Sequence, residues 1–448
     1  MLKVAIIGAG GVIFAQKMVC DLLLDPELRH AEIALMDINP ERLEVARKLD
    51  LRLAEQLGVQ ANFTATTCLE EAVRGAKYVI TLFRVGTIEH ARFEYEIPKK
   101  YGVDQVVGDS MCPGGIFRGL RTLKALFEVV DAMEKFSPGA MLLNYVNPMS
   151  INTIALSRRA RTVRVVGLCH SVPNTIRELA KYLKLEQSSI RHLCCGVNHQ
   201  AFFLKLEAEG RDLYPALREA MKDPEVYNHD KVRFELFRHF GYFPTESSGH
   251  NSEYNPFFRK RPELIAEFCR DDYPDRPIPW HSMSAGVSGA SMTIVPLMQQ
   301  ENEQKVARLI RGEEPIPTEA SNEYAIQVIG AIEKNCPLSA NLNVINHGLI
   351  SNLPPECSVE VPCLVDGGGV TPGRIEHYPE QLAGLNRMMI NAQLLAAEGA
   401  LEGDRDKVMW AVTLDPLTAA VCSLGEVRSM TDELFSALAD QLDPRFSR

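Results

Sequence analysis

The chain begins with a short apolar strand followed by a glycine-rich turn, and this pairing restricts the possible folds more than any other feature. Leu2–Ile7 is an apolar run that predicts a buried strand, and helical spacing follows over Ala15–Leu24. Gly8, Gly10 and Gly11 lie between them. Glycines at such a turn let backbone amides approach a phosphate at the positive helix N-terminus. We therefore predict a dinucleotide-binding turn at these three glycines, with an ordinary strand–helix turn as the alternative.

The end of the second apolar run supports the dinucleotide interpretation. Ile13 stands where the usual third glycine would fall, so the glycine pattern alone is weak. Ala31–Met36 reads as the next strand and is followed directly by Asp37. A carboxylate in that place can accept hydrogen bonds from the adenine-ribose hydroxyls, which favours NAD over NADP.

Apolar runs alternate with helical patterns up to about residue 170. Pro40–Gln56 predicts a helix, and Tyr78–Phe83, Met141–Val146 and Val163–Leu168 predict strands. This alternation is typical of right-handed crossovers and a parallel sheet. We predict an α/β fold in which a Rossmann-like, doubly wound parallel sheet over residues 1–195 binds NAD. A second mixed α/β (α+β) lobe over residues 196–448 is expected to bind substrate and metal and to form oligomers.

Composition limits the classes of partner. The formal net charge of −10 argues against a nucleic-acid partner, which would need a basic face. No apolar run reaches the length of about 18–20 residues that a membrane span needs, and no secretory signal is expected. The 11 cysteines are odd in number and scattered, as in a reducing compartment, so we expect a cytoplasmic protein.

A cysteine and a histidine stand out in the middle of the chain. Cys169 follows the predicted strand Val163–Leu168, and ligands in open α/β sheets bind beyond the carboxyl ends of the strands. His199 lies thirty residues further on, and a thiolate with an imidazole can form a soft metal site. Asn147 follows another strand, and Asp109 lies in a segment rich in glycine and proline. The alternative is a buried structural cysteine with an unrelated histidine.

Taken together, the motifs resemble those of the NAD- and divalent-metal-dependent glycosidases of glycoside hydrolase family 4, and within that family the melibiase-type α-galactosidases most of all. The resemblance covers nearly the whole chain in order. The matching stretches are Ile6–Phe14, Ala34–Asp37, Pro113–Thr122, Asn144–Met149, Gly167–Val172, Asn198–His199, Gly241–Tyr254, Leu349–Pro354 and Val361–Asp366.

The resemblance implies a mechanism by elimination rather than by displacement at a pair of carboxylates. NAD⁺ oxidises C3 of the sugar, a base removes the C2 proton, the leaving group departs from C1, and water and hydride are then added back. It implies NAD and Mn²⁺, or another divalent metal, as cofactors, and a small α-galactoside as substrate. A homodimer or homotetramer is expected.

The resemblance also assigns roles to residues of this chain. It implies that Cys169 and His199 bind the metal. It implies that His170 is the acid that assists departure of the leaving group and that Tyr254 is the C2 base. Asn147 is implied to contact substrate, and Asp109 to act near the metal or the sugar hydroxyls.

Two departures from the melibiase-type pattern leave other sugars open. His347 replaces an acidic residue, and Ser110-Met111-Cys112 replaces a Thr-Leu-Gly segment. A glucoside, a uronide or a sulfosugar glycoside is therefore an alternative substrate, and Arg118 is a candidate to bind an anionic group. A lactate/malate-type dehydrogenase and an NAD-binding sensor are the competing functions.

Overall fold

The computed structural model describes residues 1–270 and 280–447, and its first half is built on six parallel strands. The strands are β1 (Lys3–Ile7), β2 (Glu32–Met36), β3 (Asn62–Thr66), β4 (Tyr78–Thr81), β5 (Met141–Asn144) and β6 (Arg164–Gly167). They pair in the order β3-β2-β1-β4-β5-β6, and every pair is parallel. The predicted doubly wound parallel sheet is confirmed.

Helices connect these strands across both faces of the sheet. They are α1 (Ile13–Leu24), α2 (Pro40–Leu57), α3 (Leu69–Val73), α4 (Ile88–Lys100), α5 (Cys112–Phe136), α6 (Met149–Arg159) and α7 (Ser171–Leu183). Local sequence sets their ends. At the start of α2, for example, the Asn39 side chain accepts hydrogen bonds from the amides of Glu41 and Arg42, and Pro40 occupies the first turn.

The second half of the chain extends the same sheet. Its strands are β7 (Ile190–Val197), β8 (Gln200–Ala208), β9 (Arg211–Asp212), β10 (Leu338–Ile345), β11 (Ser358–Asp366) and β12 (Gly369–Pro372). Strand β10 pairs antiparallel with β6, and the order continues β10-β11-β7-β8-β9, with β12 beside β11. The second region is mixed α/β, as predicted, but it shares one sheet with the first. Residue 195, the predicted domain boundary, lies within β7.

Helices surround this extension. They are α8 (Tyr214–Ala220), α9 (Pro224–His229), α10 (Lys231–Phe240), α11 (Ser248–Tyr254), α12 (Pro262–Phe268), α13 (Trp280–Ala285), α14 (Ala290–Arg311), α15 (Tyr324–Lys334), α16 (Glu380–Glu402), α17 (Arg405–Leu414), α18 (Pro416–Val421) and α19 (Leu424–Ala437). Short 3-10 turns lie at Ala9–Gly11, Gln187–Ser189 and Pro444–Ser447.

The apolar core lies on both faces of the sheet because successive side chains of a strand point to opposite faces. Along β1, Val4 and Ile6 join one apolar cluster, whereas Ala5 and Ile7 join another. The first cluster includes residues from both halves of the chain, among them Leu22, Leu49, Ile329, Leu342 and Val359. Among the described helices, none combines the length and the apolar character needed to cross a bilayer.

Candidate active site

Neighbouring parallel strands deliver the first two site residues to one edge of the sheet. Strands β5 and β6 pair in register from Met141 and Arg164 to Asn144 and Gly167, so the segments after them emerge side by side. These segments carry Asn147 and Cys169. The Cys169 side chain is buried, and in the protein alone burial raises its pKa to about 12.

His199 reaches the same edge from a tight turn between β7 and β8. Val197 pairs with Gln200, so only Asn198 and His199 form the turn, and His199 has a left-handed backbone with φ 64°. The Asn198 side-chain amide donates to Glu360 Oε2 over 3.1 Å and ties the turn to β11. Burial raises the pKa of Glu360 to about 7. The turn therefore fixes the position from which the His199 side chain leaves the backbone.

The two edges of the His199 ring face different groups. On one edge, Nδ1 lies 3.2 Å from the Tyr254 hydroxyl and 3.3 Å from Ser110 Oγ. On the other edge, Nε2 lies 3.8 Å from Glu246 Oε2. Two sets of possible metal donors share this ring, and within each set the donor atoms lie within 4.8 Å of one another. The sets are Cys169–His199–Glu246 and Asp109–His199–His250.

Asp109 lies at the centre of a hydrogen-bonded group. The Asn147 side-chain amide donates to Asp109 Oδ2 over 2.9 Å, and the Tyr254 hydroxyl donates to Oδ1 over 3.3 Å. His250 Nε2 lies 3.8 Å from the same Oδ1. Burial by itself would raise the pKa of Asp109, but His250, His199 and Arg118 outweigh it and hold this pKa well below its ordinary value. Asp109 is therefore an anion in the folded protein.

Tyr254 and His250 lie on one short helix, α11, and both are buried. Burial, together with the charge of Asp109, raises the pKa of Tyr254 well above its ordinary value. Burial lowers the pKa of His250, but the negative charges of Glu246 and Asp109 outweigh it, and the net shift is upward. The protein alone therefore keeps the phenol protonated, so a base role for Tyr254 needs an added positive charge beside it.

His170 lies at the rim of the site. Half of its side chain is exposed, and its Nδ1 lies 3.5 Å from Glu323 Oε1. The contact with Glu323 raises the pKa of His170 to about 9, against a smaller effect of burial. A protonated imidazole next to Cys169 and open to solvent is suited to donate a proton.

Arg118 lies on α5, near enough to the same group for its charge to act on it. Its positive charge lowers the pKa of Asp109 and that of the buried Glu94. The neighbouring Arg121 makes a two-pronged ion pair with Glu94 at 2.7 and 2.9 Å. Among the described residues, no carboxylate forms an ion pair with Arg118 within 4.0 Å, so its guanidinium is available to a ligand.

The glycine turn lines a separate cleft of about 960 Å³. Gly8 and Gly11 line it together with Leu82 and Phe83 after β4, and α14 forms the opposite wall. Gly8 has φ 94°, and a Cβ there would lie 2.9 Å from the Phe83 amide nitrogen. The glycine turn and Leu82 follow the carboxyl ends of β1 and β4, so the cleft opens at the same sheet edge as Asn147 and Cys169.

Asp37 lies beside the glycine turn, with its carboxylate directed at backbone amides. Oδ2 accepts from the Gly10 amide and Oδ1 from the Asn39 amide, both over 2.9 Å. A Cβ at Gly10 would lie 2.6 Å from Asp37 Oδ2. Asp37 therefore holds the turn in shape, and its predicted contact with a ribose stays a prediction.

The sequence interpretation gave no role to Glu246, although Glu246 and His250 both lie within the matching stretch Gly241–Tyr254. The two lie four residues apart, and His250 Nδ1 is 3.5 Å from Glu246 Oε1. Ser247 caps α11 between them by accepting from the His250 amide. That spacing was visible in the sequence, but the pairing of Glu246 with His199 depends on the tertiary fold.

Glu253 is a further residue that the sequence did not single out. Its buried carboxylate accepts hydrogen bonds from the amides of Val106, Val107 and Gly108, over 2.7 to 3.1 Å. This segment runs directly into Asp109, and Glu253 immediately precedes Tyr254. The carboxylate therefore joins the segment that carries Asp109 to the helix that carries Tyr254.

The chain is similar to known proteins over nearly its whole length. A family model described as family 4 glycosyl hydrolase matches residues 3–185, and one described as the C-terminal domain of that family matches residues 194–418. An alpha-galactosidase of Bacillus subtilis (strain 168) is 39% identical, with 99% of each chain covered. An alpha-galactosidase of Rhizobium meliloti (strain 1021) is 36% identical, with 98% of this chain and 89% of that protein covered.

A solved structure agrees in fold. The 6-phospho-beta glucosidase from Thermotoga maritima, determined with manganese, NAD⁺ and glucose-6-phosphate, superposes with a TM-score of 0.78 at 21% identity. The match covers 99% of this chain and 100% of that one.

Proposed function

The chain belongs to family 4 of the glycosyl hydrolases, and from this we propose that it hydrolyses α-galactosides with NAD and a divalent cation, Mn²⁺ being the ion expected. The proposal rests mainly on one observation. Two donor sets meet on the His199 ring, at the same sheet edge as a cleft lined by the glycine turn. The full-length identity to alpha-galactosidases supports the choice of sugar.

The residues present fit both cofactors. Cys169 and His199 supply sulfur and nitrogen donors, and nearby carboxylates supply oxygen, a set that suits a divalent transition metal. Gly11 brings backbone without a side chain to the cleft wall at the start of α1, where a pyrophosphate is favoured. When bound, NAD⁺ accepts a hydride from C3 of the sugar, and the cation acts as a Lewis acid on the neighbouring oxygens.

The chain's own residues would then move the protons. We assign the removal of the C2 proton to Tyr254 in its phenolate form, which the positive charge of a bound cation would favour, and whose oxygen lies beside Asp109. We assign proton donation to the leaving oxygen to His170, which is half exposed and held by Glu323. The first role is a proton transfer to Tyr254 and the second a proton transfer from His170, and the fold determines the position of both groups.

Asn147, Asp109 and Arg118 are proposed to bind the sugar. Asn147 and Asp109 already share a hydrogen bond, and an amide and a carboxylate can each make further hydrogen bonds to sugar hydroxyls. Arg118 offers a free guanidinium to oxygen atoms of the substrate. Because a guanidinium pairs well with a carboxylate, an α-galacturonide is the second candidate substrate.

A panel of nitrophenyl glycosides tests the choice of substrate. The protein is assayed with NAD⁺, Mn²⁺ and a thiol reductant on α-galactoside, α-glucoside, α-galacturonide and β-galactoside. We expect the highest kcat/KM on the α-galactoside and no net NADH in the steady state. Substrate-dependent accumulation of NADH would instead indicate a dehydrogenase, and full activity in verified nucleotide-free protein would refute the proposed chemistry.

We further propose a homodimer or homotetramer in the cytoplasm. Trp410 and Leu414 lie one turn apart on α17, and about half of each side chain is exposed. Large apolar side chains that share an exposed helix face are typical of a subunit contact. Light scattering of the purified protein, compared with Trp410→Glu, tests the assembly.

A further inference from the structure

Glu246 occupies an unusual position beside the Cys169–His199 pair. Its backbone lies in the left-handed region, with φ 72°, where residues other than glycine are uncommon. Strained residues of this kind persist where the surrounding structure holds them. The carboxylate lies 3.8 Å from His199 Nε2 and 3.5 Å from His250 Nδ1.

Three elements fix the backbone around Glu246. Thr245 exchanges hydrogen bonds with Ala201 at the start of β8, its amide donating over 2.8 Å and its hydroxyl accepting over 3.2 Å. The Glu246 amide donates to Thr175 Oγ1 of α7 over 3.2 Å. Ser247 then caps α11. The carboxylate is therefore held between the strand that follows His199 and the helix that follows Cys169.

The hydrogen bonds of the His199 ring favour the donor set with Glu246 over the set with Asp109. Its Nδ1 already has hydrogen-bonding partners in Tyr254 and Ser110. A metal-binding imidazole commonly donates a hydrogen bond through one nitrogen and binds the ion through the other. The nitrogen left for an ion is Nε2, and Nε2 faces Glu246.

The carboxylates of Asp109 and Glu246 also differ in how many hydrogen bonds they accept. Asp109 accepts hydrogen bonds on both oxygens, from Asn147 and Tyr254. Among the described residues, no donor makes a hydrogen bond to the Glu246 carboxylate. Glu246 therefore has free acceptor capacity directed at the open ring nitrogen, whereas Asp109 is engaged elsewhere.

We propose that Glu246 is a third protein ligand of the catalytic cation and completes the site with Cys169 and His199. One thiolate and one carboxylate balance the two positive charges of the ion inside a largely buried site. The carboxylate also adds the hard oxygen donor that Mn²⁺ prefers. Three protein ligands leave coordination positions open for substrate oxygens. The inference rests on the proposed function for the identity of the cation.

The test measures metal binding without substrate. Metal-free protein is titrated with Mn²⁺, and the free ion is followed by its electron paramagnetic resonance signal. Glu246→Gln keeps the size of the side chain but removes its charge. Glu246→Gly removes the ligand and relieves the left-handed backbone, so this variant is expected to fold even if the glutamine variant does not.

Glu209 provides matched controls. It also has a left-handed backbone, with φ 51°, and it lies in an exposed turn. Glu209→Gln and Glu209→Gly should bind Mn²⁺ like the wild type. Both Glu246 variants should bind it at least about tenfold more weakly, since the outer partners of metal ligands alone are worth 10–100-fold.

Cobalt binding reports on the rest of the site. The near-ultraviolet absorption of a cobalt–thiolate bond should persist in the Glu246 variants, because Cys169 remains, and should be absent from Cys169→Ser. Unchanged Mn²⁺ affinity in both Glu246 variants, with wild-type binding intact, would overturn the inference alone. Wild-type protein that binds no Mn²⁺ would overturn both the inference and the proposed function.

Discussion

Tyr254 is the residue whose position bears most directly on the proposed chemistry. Its hydroxyl lies between Asp109 Oδ1, 3.3 Å away, and His199 Nδ1, 3.2 Å away. A proton leaving or entering the phenol therefore has a hydrogen-bonded partner on either side. The same contacts explain why the ring can be held in one orientation inside the buried site.

Replacing Tyr254 by phenylalanine should cut turnover while preserving the fold. Tyr254→Phe keeps the ring and loses the hydroxyl, so kcat should fall by roughly 10²–10⁴, the usual contribution of a positioned acid–base group. Steady-state kinetics on the nitrophenyl α-galactoside measures this. Tyr227→Phe, which loses a hydroxyl bonded to Glu235 instead, is the control and should stay close to wild type. A fully active Tyr254→Phe would mean that the base lies elsewhere, with His250 the next candidate.

Two of the predicted site residues reach this edge for a local reason. Asn147 and Cys169 follow apolar runs, and the carboxyl ends of parallel strands meet at one edge, so sequence order alone brings them together. The sequence around Glu246 contains no pattern of this kind. Its side chain reaches His199 because of a left-handed backbone and contacts from β8 and α7, which do not appear in a local pattern.

At the scale of elements, one buried carboxylate joins two segments of the site. Glu253 on α11 accepts three backbone hydrogen bonds from residues 106–108, which are separated from it by about 145 positions in the chain. These residues lead into Asp109. The contact therefore sets the distance between Asp109 and Tyr254, and Glu253 is a positioning residue rather than a catalytic one.

Glu253→Gln should lower kcat more than it changes KM or Mn²⁺ affinity. The amide replaces one acceptor oxygen with a donor that cannot bond to these N–H groups, so the 106–108 segment should loosen. Kinetics and Mn²⁺ titration are compared with backbone hydrogen exchange over residues 106–110. A loss of Mn²⁺ affinity equal to the loss of kcat would point to general damage of the site instead.

Another carboxylate, that of Glu134 on α5, leads to a prediction about how stability depends on pH. Glu134 accepts backbone hydrogen bonds from Arg161, Thr162 and Val163 at the entry to β6, and these bonds outweigh burial and lower its pKa to about 2. The folded pKa lies below the ordinary value of 4.5. The stabilisation is therefore fully present above that value and is lost as the pH falls toward about 2.

Glu134→Gln should therefore be less stable than wild type at pH 7. The difference should shrink steadily between pH 4.5 and the lowest pH at which both proteins still fold. Urea unfolding across this range measures it, and Glu128→Gln on the exposed face of α5 is the control. A difference that does not change with pH would show that the charge of Glu134 has no part in the stabilisation.

Element boundaries show where sequence patterns are weak. Helix α14, for example, runs over Ala290–Arg311 with Pro296 inside it. A proline usually ends a helix, so the pattern alone could not extend the element past it. Similarly, the glycines and the proline in the segment that carries Asp109 are typical of a loop, but α5 begins within that segment, at Cys112.

At the scale of the whole molecule, one sheet unites the two predicted regions. Strand β10 joins β6, and one apolar cluster contains Val4 and Ile6 from the first region together with Leu342 and Val359 from the second. The sequence predicted two regions that meet near residue 195. It could not show that they share a sheet, because strand order depends on long-range pairing.

We therefore expect the chain to unfold as one cooperative unit. Differential scanning calorimetry should give a single transition with equal calorimetric and van't Hoff enthalpies, provided that unfolding is reversible. Added NAD⁺ should raise Tm, because a ligand that binds only the folded state stabilises it. Two separated transitions, of which added NAD⁺ raises the Tm of only one, would support independent domains divided near residue 195.

Elimination and displacement differ in one event, because only elimination breaks the C2–H bond of the sugar during turnover. We propose hydrolysis of the α-galactoside in D₂O, with the released galactose collected early and analysed by NMR, and galactose incubated in D₂O without protein as the control. We expect solvent deuterium at C2 of the product, because a proton removed there by Tyr254 exchanges before it is returned. Direct displacement at C1 leaves the C2–H bond intact. Product free of deuterium at C2, from protein that turns over at its full rate, would contradict the account.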